Sequence, residues 1–448
     1  MDQEPNRRAF LRGGALTTAG ALVGGAAQAG EDASRPSSAA LPDYPRERPA
    51  VWGPVGSPTD RGKLVPGYRD PGGPPVPVVT PDVPYLGSRL NNGVKEFHLI
   101  AEPVKREFLP NLTMDVWGFN GTMPGPTIEV TQGDRVRVIV ENRLPEPTSI
   151  HWHGFEIAVS LDGVPGLVQD FIPPGEAFVY EFDITQVGTM FYHAHVAMHE
   201  AMGMVGLFIM HPKVAHDPPV DQDFGLITQE FAILPNQTIP NSQGMDFNFL
   251  TFNGHCAPLT TPLIVKLGNR VRLRFVNFST ADHHPIHLHG HTWWVTGTEG
   301  GRIPESGWLP GNNVLVGVAQ ARDVEFIANN PGDWIMHCHM FHHTMNHMVP
   351  KAGPMTRVAL TDPRSQVPGY PQGMEGGMAM MKIPEDDRRP LQKREARGMR
   401  HDWSLIKGLT TIVRVLPPDL YDQVMLGNEP LEPGASIFGP KPGRWKRS

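Results

Sequence analysis

The chain has 448 residues, with 39 lysines and arginines against 46 aspartates and glutamates and a formal net charge of −7 at pH 7. This mildly acidic balance carries no basic stripe, which excludes nucleic acid as a natural partner. Cys256 and Cys338 are the only cysteines, which excludes a disulfide framework.

The N-terminus has the features of an export signal. Paired arginines in Asn6-Arg7-Arg8-Ala9-Phe10-Leu11 precede an apolar, glycine-rich stretch that ends in Ala27-Gln28-Ala29. This pattern predicts a twin-arginine signal peptide over residues 1–29 and a periplasmic or extracellular location. The apolar stretch is too short to span a bilayer and no other segment is apolar for long enough, so we expect no membrane span.

The pattern changes along the next part of the chain. Residues 30–93 are dense in proline and glycine, which predicts an extended arm. From Val94 onwards, short alternating runs rich in valine, isoleucine and phenylalanine predict an all-β sandwich.

An internal repeat sets the predicted architecture. The run that begins at Pro126 returns at Pro262, and motifs downstream of each copy also correspond. The repeat predicts two β-domains of one kind, over residues 94–215 and 220–362.

Four histidine-rich motifs follow one another through these domains. They are His151-Trp152-His153-Gly154, His193-Ala194-His195, His284-Pro285-Ile286-His287-Leu288-His289 and His337-Cys338-His339, the last followed by His343 and Met348. Because side chains alternate between the faces of a strand, His337 and His339 are expected to point away from Cys338. A thiolate with two imidazoles and a long thioether contact makes a blue-copper site, and the flanking histidines can hold a second centre.

Residues 363–448 predict a tail that is mostly irregular, with a methionine-rich segment from Met374 to Met381 and a short helix over Asp419–Met425. Since every candidate ligand precedes Pro350, we expect that residues 370–448 can be deleted without loss of the blue copper.

In order and spacing, the four motifs resemble those of the multicopper oxidases over roughly residues 94–362. The resemblance implies that both domains are cupredoxin-like Greek-key sandwiches and that each chain binds four copper ions. It implies the type 1 (blue) ligands His284, Cys338, His343 and, as the weak axial ligand, Met348. It implies type 2 ligands His151 and His287, and type 3 ligands His153, His193, His195, His289, His337 and His339.

The repeat also indicates where blue copper is absent. Thr148 stands in the first domain where His284 stands in the second, and Ala194 stands where Cys338 does. His199 and Met204, which match the remaining type 1 positions, are therefore expected to be packed residues, as is Cys256.

Each domain carries four of the eight trinuclear ligands, so domain one of one chain can meet domain two of the next in a head-to-tail ring. The resemblance to two-domain oxidases with blue copper in the second domain implies a homotrimer of this kind.

The implied activity is a laccase-like oxidation of phenols or aromatic amines with reduction of dioxygen to water; oxidation of Cu(I) or another metal ion is the alternative. Asp162 lies where the family places a carboxylate near the cluster and is the candidate proton supplier, although an Asp-Gly turn explains the same residues. A copper nitrite reductase and a non-catalytic copper protein are the competing classes. The complete set of eight cluster histidines argues against both.

Overall fold

The computed structural model of the protein describes residues 74–234, 237–344, 392–400 and 406–438. The predicted signal peptide, most of the predicted arm, Met348 and the methionine-rich segment lie outside the described residues.

The first half of the described chain forms one β-sandwich. Its strands are β1 (Arg89–Asn91), β2 (Val94–Leu109), β3 (Leu112–Phe119), β4 (Gly125–Thr131), β5 (Arg135–Asn142), β6 (Ile150–His153), β7 (Ala177–Asp183), β8 (Gly188–Ala194) and β9 (Val205–His211). A short helix, α1 (Ala197–Ala201), links β8 to β9, and a 3₁₀ turn covers Val159–Leu161.

The two sheets of this sandwich have the orders β1-β2-β5-β7, with β3 on β2, and β4-β9-β8-β6. Alternate residues of both sheets point inwards, and Trp152 and Tyr180 fill the centre of the core with less than 2 % of their surface exposed. This packing fixes β6 and β8 side by side, with His151 opposite His193.

The second half forms another sandwich. Its strands are β10 (Gln222–Phe231), β11 (Phe249–Phe252), β12 (Leu263–Lys266), β13 (Arg270–Asn277), β14 (His284–Leu288), β15 (Trp293–Thr298), β16 (Gly301–Arg302), β17 (Leu309–Gly311), β18 (Asn313–Val316), β19 (Ala321–Ile327), β20 (Gly332–Cys338) and β21 (Thr410–Leu416). 3₁₀ turns cover Glu305–Gly307, Phe341–Thr344 and Arg394–Ala396, and helix α2 covers Pro418–Met425.

The two sheets here have the orders β11-β10-β13-β19-β15-β16, with β17 on β15, and β12-β21-β20-β14-β18. Strand β21 lies inside the second sheet, parallel to β12 and antiparallel to β20. The expectation of an irregular tail is therefore wrong for residues 410–416, because their β-branched side chains complete the core. Helix α2 agrees with the short helix expected over Asp419–Met425.

The sandwiches contact each other through β8 and β9 of the first and β10, β13 and β19 of the second. Thr189 donates a hydrogen bond to Asp323 (2.7 Å), and Arg274 donates one to Thr189 (2.6 Å) across this contact. Among the described residues, the helices are all too short or too polar to cross a membrane.

Candidate metal centres

A buried pocket of the second sandwich brings together His284, Cys338 and His343. The Cys338 Sγ lies 3.3 Å from His343 Nδ1 and 3.7 Å from His284 Nδ1, and the two Nδ1 atoms are 3.2 Å apart. A thiolate and two imidazoles at the corners of one small triangle are the ligands that copper takes in blue sites.

Burial raises the pKa of the Cys338 thiol to about 12. Burial, with the neighbouring His343, lowers the pKa of His284 to about 3. In the protein alone the thiol therefore keeps its proton and His284 is neutral. A metal cation that displaces the thiol proton would compensate the thiolate charge, so these ligands fit a soft or borderline ion such as copper.

Three elements position this triad. His284 begins β14, Cys338 ends β20, and His343 lies in the turn Phe341–Thr344. The Cys338 N–H donates to the Leu409 carbonyl, and the Leu409 N–H donates to the His343 carbonyl. The residue just before β21 thus fixes the backbone of two ligands at once.

The other face of the same strands carries a second group of imidazoles. Ring centroids lie 4.8 to 5.7 Å apart for the neighbouring pairs among His287, His289, His337 and His339. The Nδ1 of His287 bonds to the Asn312 carbonyl (2.6 Å), and that of His337 to the Cys338 carbonyl (2.8 Å). These bonds orient both rings so that Nε2 is the atom available to a metal.

The first sandwich carries a matching group at β6 and β8. The ligating atoms of His151, His153 and His193 lie within 4.8 Å of one another, and the His195 ring is 5.4 Å from that of His151. Burial lowers the pKa of His193 to about 3 and that of His153 to about 4, so both are neutral ligands.

Asp162 lies against this first group. The His151 Nδ1–H donates to the Asp162 backbone carbonyl (2.7 Å), and the Asp162 carboxylate is 3.5 Å from the same nitrogen. Next to it, Gly163 has φ +86°, and a Cβ there would lie 1.8 Å from the Ile150 carbonyl oxygen. The segment is therefore a tight turn that requires glycine, and its aspartate also touches the ligand group.

The two imidazole groups do not meet within one chain. Among the described residues, every ring contact between these histidines joins members of one sandwich. His289 and His339 are exposed, whereas His193 is buried. One chain therefore presents two separate groups of four imidazoles.

Sequence reasoning missed three polar side chains that touch these ligands. Ser279 Oγ lies 2.7 Å from His284 Nε2, and Asp282 Oδ2 lies 3.3 Å from His343 Nε2. Glu200 lies 3.8 Å from His193 Nδ1, and burial raises its pKa to about 7. The internal repeat gave a signal for Asp282 alone, because it aligns Asp282 with Glu146 of the first domain.

In the first sandwich the counterpart of the triad has no thiolate. His199 is packed edge-on against Trp117 at 4.7 Å, its Nδ1 is 3.2 Å from Thr148 Oγ1, and its Nε2 is 3.2 Å from Glu146. Met204 is fully buried. The Thr148 hydroxyl thus stands where the second sandwich has the Nδ1 atom of His284, and His199 and Met204 are packed residues, as expected.

Comparisons with known proteins agree with this geometry. Two family models, both described as multicopper oxidase, match residues 101–215 and 234–352. The blue copper oxidase of Nitrosomonas europaea is 34 % identical in sequence with a TM-score of 0.53, over 57 % of this chain and 82 % of that one. These findings confirm the all-β, cupredoxin-like Greek-key class.

Longer relatives share the same region. Laccase-20 of Oryza sativa subsp. indica is 32 % identical over 53 % of this chain and 44 % of its own length. A probable nitrite reductase-hydroxylamine oxidoreductase fusion protein of Kuenenia stuttgartiensis is 26 % identical over 67 % of this chain and 35 % of its own. The chain therefore spans less than half of the length of these curated relatives.

Proposed function

The chain belongs to the multicopper oxidase family, and from this premise we propose that it is a laccase-like enzyme that oxidises a small reducing molecule and reduces dioxygen to water. The observation that carries the proposal is the end of strand β20, which places Cys338 in a buried triad and His337 in an imidazole group on the other face, together with His339, the residue that follows the strand. Copper, when bound, would supply one-electron transfer at the triad and dioxygen reduction at the imidazole groups.

We assign four copper ions per chain. His284, Cys338, His343 and Met348 would hold the type 1 ion, and His151 and His287 the type 2 ion. The type 3 pair would be held by His153, His193 and His339 on one ion and by His195, His289 and His337 on the other.

Residues of β20 provide the electron path between these centres. Cys338 is covalently continuous with both neighbouring histidines, and the hydrogen bond from His337 Nδ1 to the Cys338 carbonyl (2.8 Å) adds a second link. Four electrons and four protons are needed to convert one dioxygen to two waters. Asp162, beside His151, is the proposed group that supplies protons.

We propose that the half-sites are completed between subunits of a homotrimer. A single chain offers only four imidazoles at each half-site, and large apolar side chains are exposed nearby. Phe341 is 80 % exposed and its ring is 6.1 Å from that of His339. A head-to-tail ring would bury these surfaces and pair each first half-site with a second one.

We also propose that the protein is exported through the twin-arginine pathway, because paired arginines precede an apolar stretch at its N-terminus.

The experiment that tests the function is copper counting combined with oxygen uptake. We expect four copper ions per chain and uptake of one dioxygen for every four one-electron donors oxidised. Two copper ions and reduction of nitrite would instead indicate a nitrite reductase, and one copper without oxygen uptake an electron carrier. Rates over phenols, aromatic amines, Cu(I) and Fe(II) would separate laccase-like from metal-ion oxidation.

Two variants test the assignment of the sites. Cys338→Ser should abolish the blue absorption and electron-donor oxidation while the trinuclear copper stays bound. His193→Ala should lower the copper content and oxygen uptake while the blue colour persists. If His193→Ala lost the blue absorption first, the division of ligands between the two faces would be wrong.

A further inference from the structure

A small cavity lies where the segment that joins the two sandwiches, residues 212–220, packs on the second sandwich. Its polar side chains are His216 from that segment, Arg272 of β13, Arg302 of β16 and Glu325 of β19, and prolines, valines and an alanine line the rest. The volume is about 20 Å³, enough for one water-sized particle and too small for sulfate or phosphate. None of the proposed copper ligands lines the cavity, so its occupant is independent of the proposed oxidase function.

The charged groups around this cavity do not balance. Four guanidinium groups and three carboxylates form one network of ion pairs, and its members are Arg270, Arg272, Arg274, Arg302, Asp223, Asp323 and Glu325. The network therefore has one positive charge in excess. Asp221 accepts a hydrogen bond from the backbone N–H of Arg270 (2.8 Å), but among the described residues it pairs with none of these guanidinium groups. Because the network is largely shielded from water, an anion beside it would be stabilised.

Two of the arginines keep N–H groups that the carboxylates do not use. Arg302 donates to Glu325 through Nη1 (2.6 Å), whereas its Nη2 is shielded from solvent and makes no hydrogen bond among the described residues. Arg272 donates to Asp223 through Nε and Nη2, and its Nη1 lies 3.9 Å from Glu325, too far for a hydrogen bond. A buried donor on a charged group destabilises the fold when it has no acceptor, so the cavity suits a ligand that accepts hydrogen bonds.

The third polar group, His216, is neutral. Burial, with the positive charges of Arg302 and Arg272, lowers the pKa of His216 to about 4. The ring therefore adds no charge to the network at pH 7, and its single N–H can be donated to an anion.

We propose that this cavity binds one chloride ion, held by the guanidinium groups of Arg272 and Arg302 and by the imidazole of His216. The ion supplies the negative charge that the network lacks, and the size of the cavity selects a monatomic anion over an oxyanion. Glu325 also lines the cavity, but its own charge is already matched by Arg270 and Arg302. A chloride ion in this position fastens the joining segment to β13 and β16.

Thermal unfolding of the copper-loaded protein tests the proposal. The midpoint is compared in sodium chloride and in sodium gluconate, both at 100 mM, so that ionic strength is constant and only the size of the anion differs. A ligand that binds only the folded chain raises the midpoint, and we expect a rise of about 3 °C in chloride. Equal midpoints in the two salts would overturn the proposal.

Two variants assign this response to the cavity. Arg302→Gln removes the excess positive charge and keeps an N–H group for Glu325, so the difference between the two salts should vanish. Arg322→Gln is the matched control, because the Arg322 side chain is 19 % exposed against 17 % for Arg302 and pairs with Glu299 (2.8 Å) away from the cavity. It should keep the rise in chloride. A rise that persists in Arg302→Gln would place the ion elsewhere, for example on copper, and would contradict the proposed site.

Anomalous diffraction locates the ion directly, even if Arg302→Gln does not fold. Bromide has the same charge as chloride and a usable absorption edge, so crystals of the copper-loaded wild-type protein are soaked in sodium bromide. We expect an anomalous peak in contact with Arg302 Nη2, Arg272 Nη1 and the His216 ring. A cavity without a bromide peak, occupied by water alone, would overturn the proposal.

Discussion

At the scale of single residues, Asp162 offers a separable test of proton supply. Its backbone carbonyl orients His151, and its carboxylate lies 3.5 Å from the same ring. Asp162→Asn keeps the backbone contact and the turn with Gly163, so only the ionisable group is lost. We predict that oxygen uptake falls about a hundredfold, the usual contribution of a positioned acid or base.

The control for this prediction is the rate at which the electron donor bleaches the blue absorption without oxygen. That rate should match the wild-type value, because the triad of the second sandwich is untouched. Unchanged oxygen uptake in Asp162→Asn would leave the residue with its role in the turn alone.

His255 makes a prediction about acid stability. Burial, with the positive charge of Arg106, lowers the pKa of His255 to about 3, and its Nδ1–H donates to the Glu107 carbonyl (2.6 Å). The ring is thus neutral in the folded protein, whereas the unfolded chain binds a proton below its ordinary value near 6.5. Stability should be constant above that pH and fall towards pH 3, by up to about 1.4 kcal/mol per pH unit for this one group.

Urea unfolding of copper-loaded protein between pH 4 and pH 7 would measure this dependence. His255→Gln keeps a hydrogen-bond donor near Glu107 but cannot titrate, so its unfolding free energy should fall less steeply with acid. Identical slopes for variant and wild type would contradict a neutral buried His255.

At the scale of elements, the end of the second sandwich shows what the sequence could predict. The four motifs and the repeat indicate β6, β8, β14 and β20, because ligand spacing and strand alternation are local properties. In the first sandwich the chain returns from α1 directly into β9. In the second, residues 345–409 separate the ligand turn from β21, although β21 makes the same pairs with β12 and β20 that β9 makes with β4 and β8.

The run Thr410–Leu416 is itself rich in β-branched residues, so a strand signal was present. The strands that pair with β21 could not be predicted from that run, because pairing with β12 depends on contacts between residues distant in sequence. Asp282 and Glu200 were missed for a related reason: a lone carboxylate carries no motif, and only folding brings it to an imidazole.

Strand β21 changes the outcome expected for truncation. A chain that ends at residue 405 keeps every implied copper ligand but loses β21, whose Val413, Val415 and Leu416 are fully buried. It also loses the Leu409 bonds to Cys338 and His343. Because only roughly 5–15 kcal/mol stabilises a domain, we predict that the loss of this interior strand unfolds the second sandwich and abolishes the blue absorption.

A chain that ends at Phe438 is the control and should keep its colour, because every described strand precedes that residue. Blue absorption and circular dichroism of both truncated chains would show whether each one folds and binds the blue copper. A coloured, folded chain ending at residue 405 would show that β21 is dispensable, as the sequence alone had suggested for residues 370–448.

At the scale of the whole molecule, the architecture separates the site proposed for electron uptake from the groups proposed for oxygen reduction. The triad lies within one sandwich, whereas in the proposed trimer each imidazole group is half of a site. The blue centre should therefore form in a single chain, while the trinuclear centre needs two. Loss of assembly should then abolish oxygen reduction, whereas the blue colour should persist.

Phe341→Lys tests this coupling. The side chain is 80 % exposed beside His339, and a lysine there would place a hydrated charge in the proposed interface. We predict that the mass in solution falls from that of a trimer to that of a single chain. Copper should fall from four ions to one per chain, with loss of oxygen uptake and retention of the blue absorption.

Leu90→Lys is the matched control, since Leu90 is 71 % exposed on β1, in the sheet of the first sandwich that carries none of the ligands. Sedimentation and copper analysis would measure both variants, and a monomeric Phe341→Lys that still bound four copper ions would contradict half-sites shared between subunits.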